Sequence, residues 1–159
     1  MLLEEKVVKL LSQKGLVMAT AESCTGGFIA KRITDVSGSS SVFNCGIVSY
    51  SNEIKEKVLG VNHKTLETFG AVSEQTVREM VTGVLTVSGA NVAVAVSGIA
   101  GPNSDNTSKP VGLIYLACSN GEKIVVRKLE NKFQEDVRNN NRVCASEVAL
   151  EMILDMVGE

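Results

Sequence analysis

The spacing of apolar residues changes several times along the chain, and each change marks an element. Leu3, Val7, Leu10 and Leu11 recur at helical spacing across residues 2–13, and Gly15 stops that helix. The run LVMATA, residues 16–21, is short, apolar and followed by polar turn chemistry, which predicts a buried strand. Helical periodicity returns in TGGFIAKRITDV, residues 25–36, with Phe28, Ile29, Ile33 and Val36 on one face. VSGSSS (36–41) reads as a loop. FNCGIVSY (43–50) reads as a second strand, its Gly46 marking a close backbone approach. NEIKEKVLG (52–60) and HKTLETFG (63–70) are short helices. Ser73 is placed to N-cap a longer helix that ends at Gly89. NVAVAVSG (91–98) is the clearest buried strand. A loop spans 99–110, and VGLIYLACS and EKIVVRKLE then flank Asn120-Gly121, a strong hairpin signal. Residues 135–157 read as a helix with Val143, Val148, Ile153 and Met156 among its apolar positions.

Strands that alternate with helices predict an α/β protein: a three-layer α/β/α sandwich with a mixed, mostly parallel sheet of about five strands. The hairpin forces one strand to run antiparallel. No repeat, low-complexity tract or linker divides residues 1–159, so a single domain is expected.

Composition narrows this picture. A hydrophobic share of 44% with 4% aromatic, 14 Gly and no Trp suits a core of Val, Ile, Leu and Ala. A chain of 159 residues can bury such a core without metals or disulfides. Sixteen basic against eighteen acidic residues give a formal charge of −2, which leaves no global basic field for nucleic acid. A local anion pocket stays open as an option. Cys24, Cys45, Cys118 and Cys144 form no CxxC pair and His63 is the single histidine. No metal is therefore expected, and the thiols are expected reduced and mostly buried. The start, MLLEEKVVKLL, places acids in its first turn, unlike a signal peptide, and no apolar run approaches spanning length. These features predict a cytoplasmic domain with no nucleic-acid or membrane partner.

In open α/β sheets ligands bind beyond the carboxyl ends of the strands, which directs attention to loops 22–27, 50–55 and 97–110. In the first, Ser23 and Thr25 bring hydroxyls to a helix start, and Gly26 and Gly27 expose backbone N–H groups able to hold an oxyanion. Local physics alone favours a capping serine with two packing glycines, because Ser and Thr are preferred N-caps. The segment is neither a P-loop nor a G-x-S-x-G elbow. A serine nucleophile needs a base. His63, in VNHKTLE, reads as a surface or capping residue. The remaining option is a desolvated lysine, and Lys55 lies five residues after Tyr50, which is expected to relay a proton or hold the lysine. Taken singly, each has an ordinary surface reading; their joint placement at a strand end makes the catalytic reading competitive. In SGIAGP (97–102), Gly98, Ala100 and Gly101 allow a ligand to approach the main chain, or form an ordinary tight turn.

Together, TAESCTGG, VSYSNEIK, GAVSEQT, SGIAGP and KPVG resemble the C-terminal domain of the CinA family, in order and over nearly the whole chain. Stand-alone members of that family are nicotinamide-nucleotide amidohydrolases. With no N-terminal molybdopterin-binding-like domain ahead of it, this chain is expected to be the free-standing form. The resemblance implies hydrolysis of the carboxamide of nicotinamide mononucleotide (NMN), a pyridine mononucleotide, to nicotinate mononucleotide and ammonia, with no cofactor. It also implies a homodimer or higher homo-oligomer. Ser23 then matches the nucleophile, Tyr50 and Lys55 the proton-handling pair, and Thr25, Gly26 and Gly27 the turn that supplies oxyanion donors. Cys24 is expected to point into the protein.

Two departures from the family pattern bear on the substrate. Asn103, Ser104 and Asp105 replace a glycine-rich stretch, and Asp105 adds a negative charge that would repel a substrate phosphate if this loop lies near it. In FQEDVRNNNR, Glu135 replaces a glycine, while Arg138 and Arg142 keep a four-residue spacing on one helix face. These arginines are candidates for phosphate or interface contacts. The competing functions are a nucleotide-binding or partner-binding module without turnover, and an amidase for another small amide.

Overall fold

In the computed structural model, which describes residues 1–158, five strands form one sheet. They are β1 (Met18–Glu22), β2 (Phe43–Val48), β3 (Val92–Gly98), β4 (Leu113–Ser119) and β5 (Ile124–Glu130), in the order β2-β1-β3-β4-β5. β1 pairs in parallel with β2 and β3, and β4 pairs antiparallel with β3 and β5. Four strands thus run one way and β4 runs against them, as the hairpin requires. The helices are α1 (Leu3–Lys14), α2 (Phe28–Thr34), α3 (Asn52–Leu59), α4 (His63–Phe69), α5 (Glu74–Ser88) and α6 (Val137–Val157).

The period-2 alternation of β3 sorts the two faces. Val92, Val94 and Val96 join Val7, Leu11, Ile29, Ile33, Leu150 and Ile153 in a core beneath α1, α2 and α6. Ala93 and Ala95 point the other way, with Ala19, Ala21 and Ala117, against Val77, Met80, Val81 and Val84 of α5. Small side chains on this face let α5 lie close to the sheet. α3 packs close to α5 as well, because Gly83 leaves room where a Cβ would collide with the Leu59 carbonyl. Truncating Leu150, which is fully buried, would cost about 2–5 kcal/mol.

Several boundaries differ from the sequence reading. β2 ends at Val48, so Ser49 and Tyr50 lie beyond it. The hairpin loop is longer than two residues, because the Asn120 carboxamide oxygen accepts from the amides of Glu122 and Lys123 at 2.9 and 3.0 Å and rounds the corner itself. α6 begins at Val137, and its register turns Ala145, Ala149, Leu150 and Ile153 inward while Val143 stays 37% exposed. Cys24 and Cys118 are buried, whereas Cys45 and Cys144 are only half-buried; all four are free thiols. Among the described residues no helix is long and apolar enough to cross a membrane.

Candidate active site

The carboxyl ends of β1, β2 and β3 meet on one edge of the sheet, and the chain leaving β1 turns there. The Ser23 amide donates to Val96 O of β3 at 3.1 Å, which extends the ladder one residue past β1. The chain then reverses through Gly26 (φ +59°) and Gly27 (φ +98°), a left-handed pair that only glycine adopts cheaply. α2 therefore starts at Phe28, not at Thr25.

This changes the role expected of the hydroxyls. Neither Ser23 nor Thr25 caps α2; Gly27 stands at the N-cap, without a side-chain bond. The first amides of α2 go instead to Glu22, whose carboxylate accepts from Ile29 N at 3.0 Å and Ala30 N at 3.1 Å. Glu22 is 1% exposed, and two amide donors at the positive helix end compensate its buried charge. The Gly26 amide is also taken, by Ser23 O at 3.0 Å. Gly26 thus supplies room and backbone angle but no free donor. Among the described residues, the amides of Cys24 and Thr25 have no acceptor.

Lys55 reaches this turn from α3, whose first turn is capped by the Ser51 hydroxyl accepting from Ile54 N at 3.2 Å. Its ammonium donates to Ser23 Oγ at 3.0 Å and to Ser49 O at 2.8 Å. The loop that leads into α3 is pinned to the end of β1 by Ser49 N donating to Glu22 O at 2.8 Å. Lys55 is 1% exposed, with no carboxylate bonded to it. Burial therefore pushes its pKa down from 10.5 to about 8. The hydroxyls of Thr25 and Ser49 are buried with no hydrogen-bond partner among the described residues.

Tyr50 stands apart from this pair. It is 62% exposed, and its hydroxyl accepts from Arg138 Nη2 at 3.0 Å rather than meeting Lys55 or Ser23. The expected relay position is thus not the one it occupies, because β2 ends two residues before it. Arg138 also donates to Gly101 O at 2.9 Å, joining α6 to the 99–110 loop. A pocket of about 150 Å3 opens there, lined by Cys24, Tyr50, Gly98, Gly101, Asp105 and Arg138 among others, with Ala100, Asn103 and Ser104 also on its wall. The Asp105 carboxylate is engaged within its own loop, accepting from the Thr107 amide and hydroxyl. Lys109 fastens that loop by donating to the carbonyls of Phe69 and Val72, both at 2.6 Å.

Arg142 reaches the turn, not the pocket wall. Its Nε donates to Cys24 O at 3.1 Å and its Nη2 to Thr25 O at 3.0 Å. The shared face of Arg138 and Arg142 is as expected, but the second guanidinium is spent on main chain. A larger hollow of about 580 Å3 lies between α3 and α5, near Leu59, Arg78 and Thr82. It contains none of the candidate residues, so size does not locate the chemistry here. His63 is an exposed helix-start residue paired with Glu56 and Glu67. Three contributors were not singled out from the sequence: Glu22, Ser49 and Asn141, which donates to Ala100 O at 2.9 Å. Glu22 carried a signal, an acid at a strand end directly before the turn; a backbone carbonyl such as that of Ser49 carries none.

Comparisons with known proteins bear on the family and the fold. The family model described as the CinA C-terminal domain matches residues 2–157. A CinA-like protein of Kosmotoga olearia is 44% identical over 156 residues, covering 98% of this chain and 38% of that protein. A putative competence-damage inducible protein of Thermoanaerobacter pseudethanolicus is 51% identical over 127 residues, covering 80% of this chain and 31% of that protein. The chain thus spans about a third of the length of these curated relatives. Among solved structures, the competence/damage inducible protein CihA from Agrobacterium tumefaciens has a TM-score of 0.91 at 41% identity, over 99% of this chain and 94% of that one. The competence damage-inducible protein A from Klebsiella pneumoniae has a TM-score of 0.92 at 32% identity, over 99% and 96%. Fold, motif order and sequence similarity converge, and the chain belongs to the CinA C-terminal domain family.

Proposed function

We propose that this domain is a nicotinamide-nucleotide amidohydrolase that converts NMN and water to nicotinate mononucleotide and ammonia, with Ser23 as nucleophile and Lys55 as its base. The observation that carries the reading is the 3.0 Å contact between the Lys55 amine and Ser23 Oγ in a buried setting. A lysine held there by a main-chain carbonyl, without a carboxylate to fix its charge, has its pKa lowered to about 8, so its neutral form is within reach and can accept a hydroxyl proton.

Lys55 takes the Ser23 proton as Oγ bonds to the carboxamide carbon. The free amides of Cys24 and Thr25 are candidates to hold the oxyanion. The protonated Lys55 then gives its proton to the leaving nitrogen as the C–N bond breaks, releasing ammonia and leaving an ester on Ser23. Water attacks that ester with Lys55 again as base, and Ser23 regains its proton. The pyridinium charge of the substrate makes its carboxamide more electrophilic. Direct contact between base and nucleophile removes the need for a relay, so we assign Tyr50 and Arg138 to the pocket rim, where the guanidinium is a candidate contact for the phosphate.

Ammonia release from NMN by the purified protein tests this, with Ser23→Ala and Lys55→Met as controls. The wild type is expected to turn over, and each variant to lose about 10⁴-fold or more in kcat. NMN that binds without ammonia release would sink the reading in favour of a binding module. Release from other amides but not NMN would move the substrate assignment.

A further inference from the structure

We infer that Arg142 is a positioning residue that aims the Thr25 amide as an oxyanion donor; the inference rests on the amidohydrolase reading. The turn needs such a support. Residues 24–27 lie between the β1 ladder, which ends at Ser23, and α2, and two consecutive left-handed glycines leave the backbone little stiffness of its own. Arg142 bridges two successive carbonyls of this turn, Cys24 O through Nε and Thr25 O through Nη2. The planar guanidinium fork fixes both at once, which a lysine's point charge does not do.

Peptide planarity carries the argument further. In a trans peptide the C=O and N–H point in opposite directions. The unit joining Thr25 to Gly26 illustrates this: its carbonyl accepts from Arg142, and its N–H, on the opposite side, donates to Ser23 O at 3.0 Å. The preceding unit has the same arrangement at its carbonyl end, with Cys24 O on Arg142. Its N–H, that of Thr25, therefore points away from Arg142, and it has no acceptor among the described residues. A charge-assisted bond at the carbonyl also polarises the unit and strengthens the donor at the other end. The neighbouring Arg138 differs: its contacts are a loop carbonyl and an exposed tyrosine at the pocket.

Arg142→Lys and Arg142→Gln, assayed with NMN and with nicotinamide riboside, which keeps the ring and lacks the phosphate, separate positioning from phosphate binding. The expected result is a fall in kcat of about 10²-fold with both substrates while KM stays within about threefold, the size of losing one oxyanion donor. Arg142→Lys should recover little of it. A raised KM for NMN, with no loss on the riboside, would mean that Arg142 binds phosphate and would overturn the inference. Amide hydrogen exchange across 23–27 gives a readout that does not depend on turnover, with α5 as the folding control. Exchange in the turn should quicken in Arg142→Gln, and unchanged exchange would overturn the clamp. A wild type inert toward both substrates would overturn the amidohydrolase reading and the oxyanion role with it, whatever the exchange data show for the turn.

Discussion

Two cations, one half-buried and one fully buried, have opposite surroundings. Arg32 on α2 is held where α1, α2 and α6 meet, with Nη2 at 2.7 Å from both Glu4 and Glu147 and Nη1 donating to Ser146 Oγ at 2.9 Å. Burial alone would lower its pKa; the bonds to Glu4 and Glu147 outweigh that and raise it. Lys55 sits at the strand ends with only a hydroxyl and a carbonyl as hydrogen-bond partners, and burial carries its pKa down to about 8. The first cation is locked in its charge and joins three helices. The second is left able to lose its proton beside a serine. A half-buried cation with carboxylate partners reads as structure, and a buried one without them reads as chemistry.

The largest effect comes from removing the second cation. Lys55→Met should abolish NMN turnover yet leave the fold at least as stable at neutral pH, by about 0.5–2 kcal/mol, because it deletes a buried ammonium without carboxylate partners. The sign follows from linkage. Between about 8 and 10.5 the unfolded chain keeps the Lys55 proton and the folded one does not, so wild-type stability rises with pH there. The advantage of Lys55→Met should shrink across that window in urea titrations at several pH values. A variant less stable than wild type at neutral pH would break the contrast between the two cations.

Activity should report the same group. kcat/KM for NMN is expected to rise with pH, reach half its maximum near 8 and level off above, since only neutral Lys55 accepts the Ser23 proton. A flat profile through that range would show that proton transfer from Ser23 does not depend on this lysine.

Arg32→Gln should act the other way round. It removes the partner of Glu4, whose pKa the Arg32 hydrogen bond holds low, and leaves that carboxylate 12% exposed. A loss of about 2 kcal/mol is expected, seen as a Tm lower by several degrees, with kcat on NMN little changed at temperatures where the variant is folded. The wild-type contribution of the pair is present above the ordinary Glu value of 4.5 and lost as pH falls through the lowered one, so the variant and wild type should converge in stability at acid pH.

The sequence revealed these two regions unequally. Layer order, the antiparallel hairpin and the long buried β3 followed from periodicity, because each depends on residues close in the chain. Elimination of other bases made Ser23 with Lys55 a competitive pair and resemblance to a family favoured it, but nothing in local spacing tells that α3 delivers its lysine to the end of β1. The turn was misread as a helix start because Ser and Thr are preferred caps. Two adjacent glycines with positive φ and the Glu22 carboxylate, four residues before them, take that role instead. Arg138 and Arg142 were visible as a helix-face pair, but not which would meet side chains and which main chain, because that depends on how α6 is rotated against the sheet.

Cys24 provides the smallest and sharpest test of the contrast, because it neighbours Ser23 in sequence and lines the pocket. Unlike Lys55, whose burial favours the reactive neutral form, burial of Cys24 favours the unreactive one: it pushes the thiol up to about 11, so almost no thiolate exists at neutral pH. The Arg142 charge lowers that value and does not overcome desolvation. Cys24→Ala should therefore keep kcat on NMN within about threefold and lose only the packing of a small buried side chain, about 1 kcal/mol. Alkylating reagents should leave the wild type active for as long as it stays folded. If Cys24→Ala lost activity as Ser23→Ala is expected to, the nucleophile would be the thiol, and the lysine would have to be its partner through a rearrangement of the turn that the Arg142 bonds oppose.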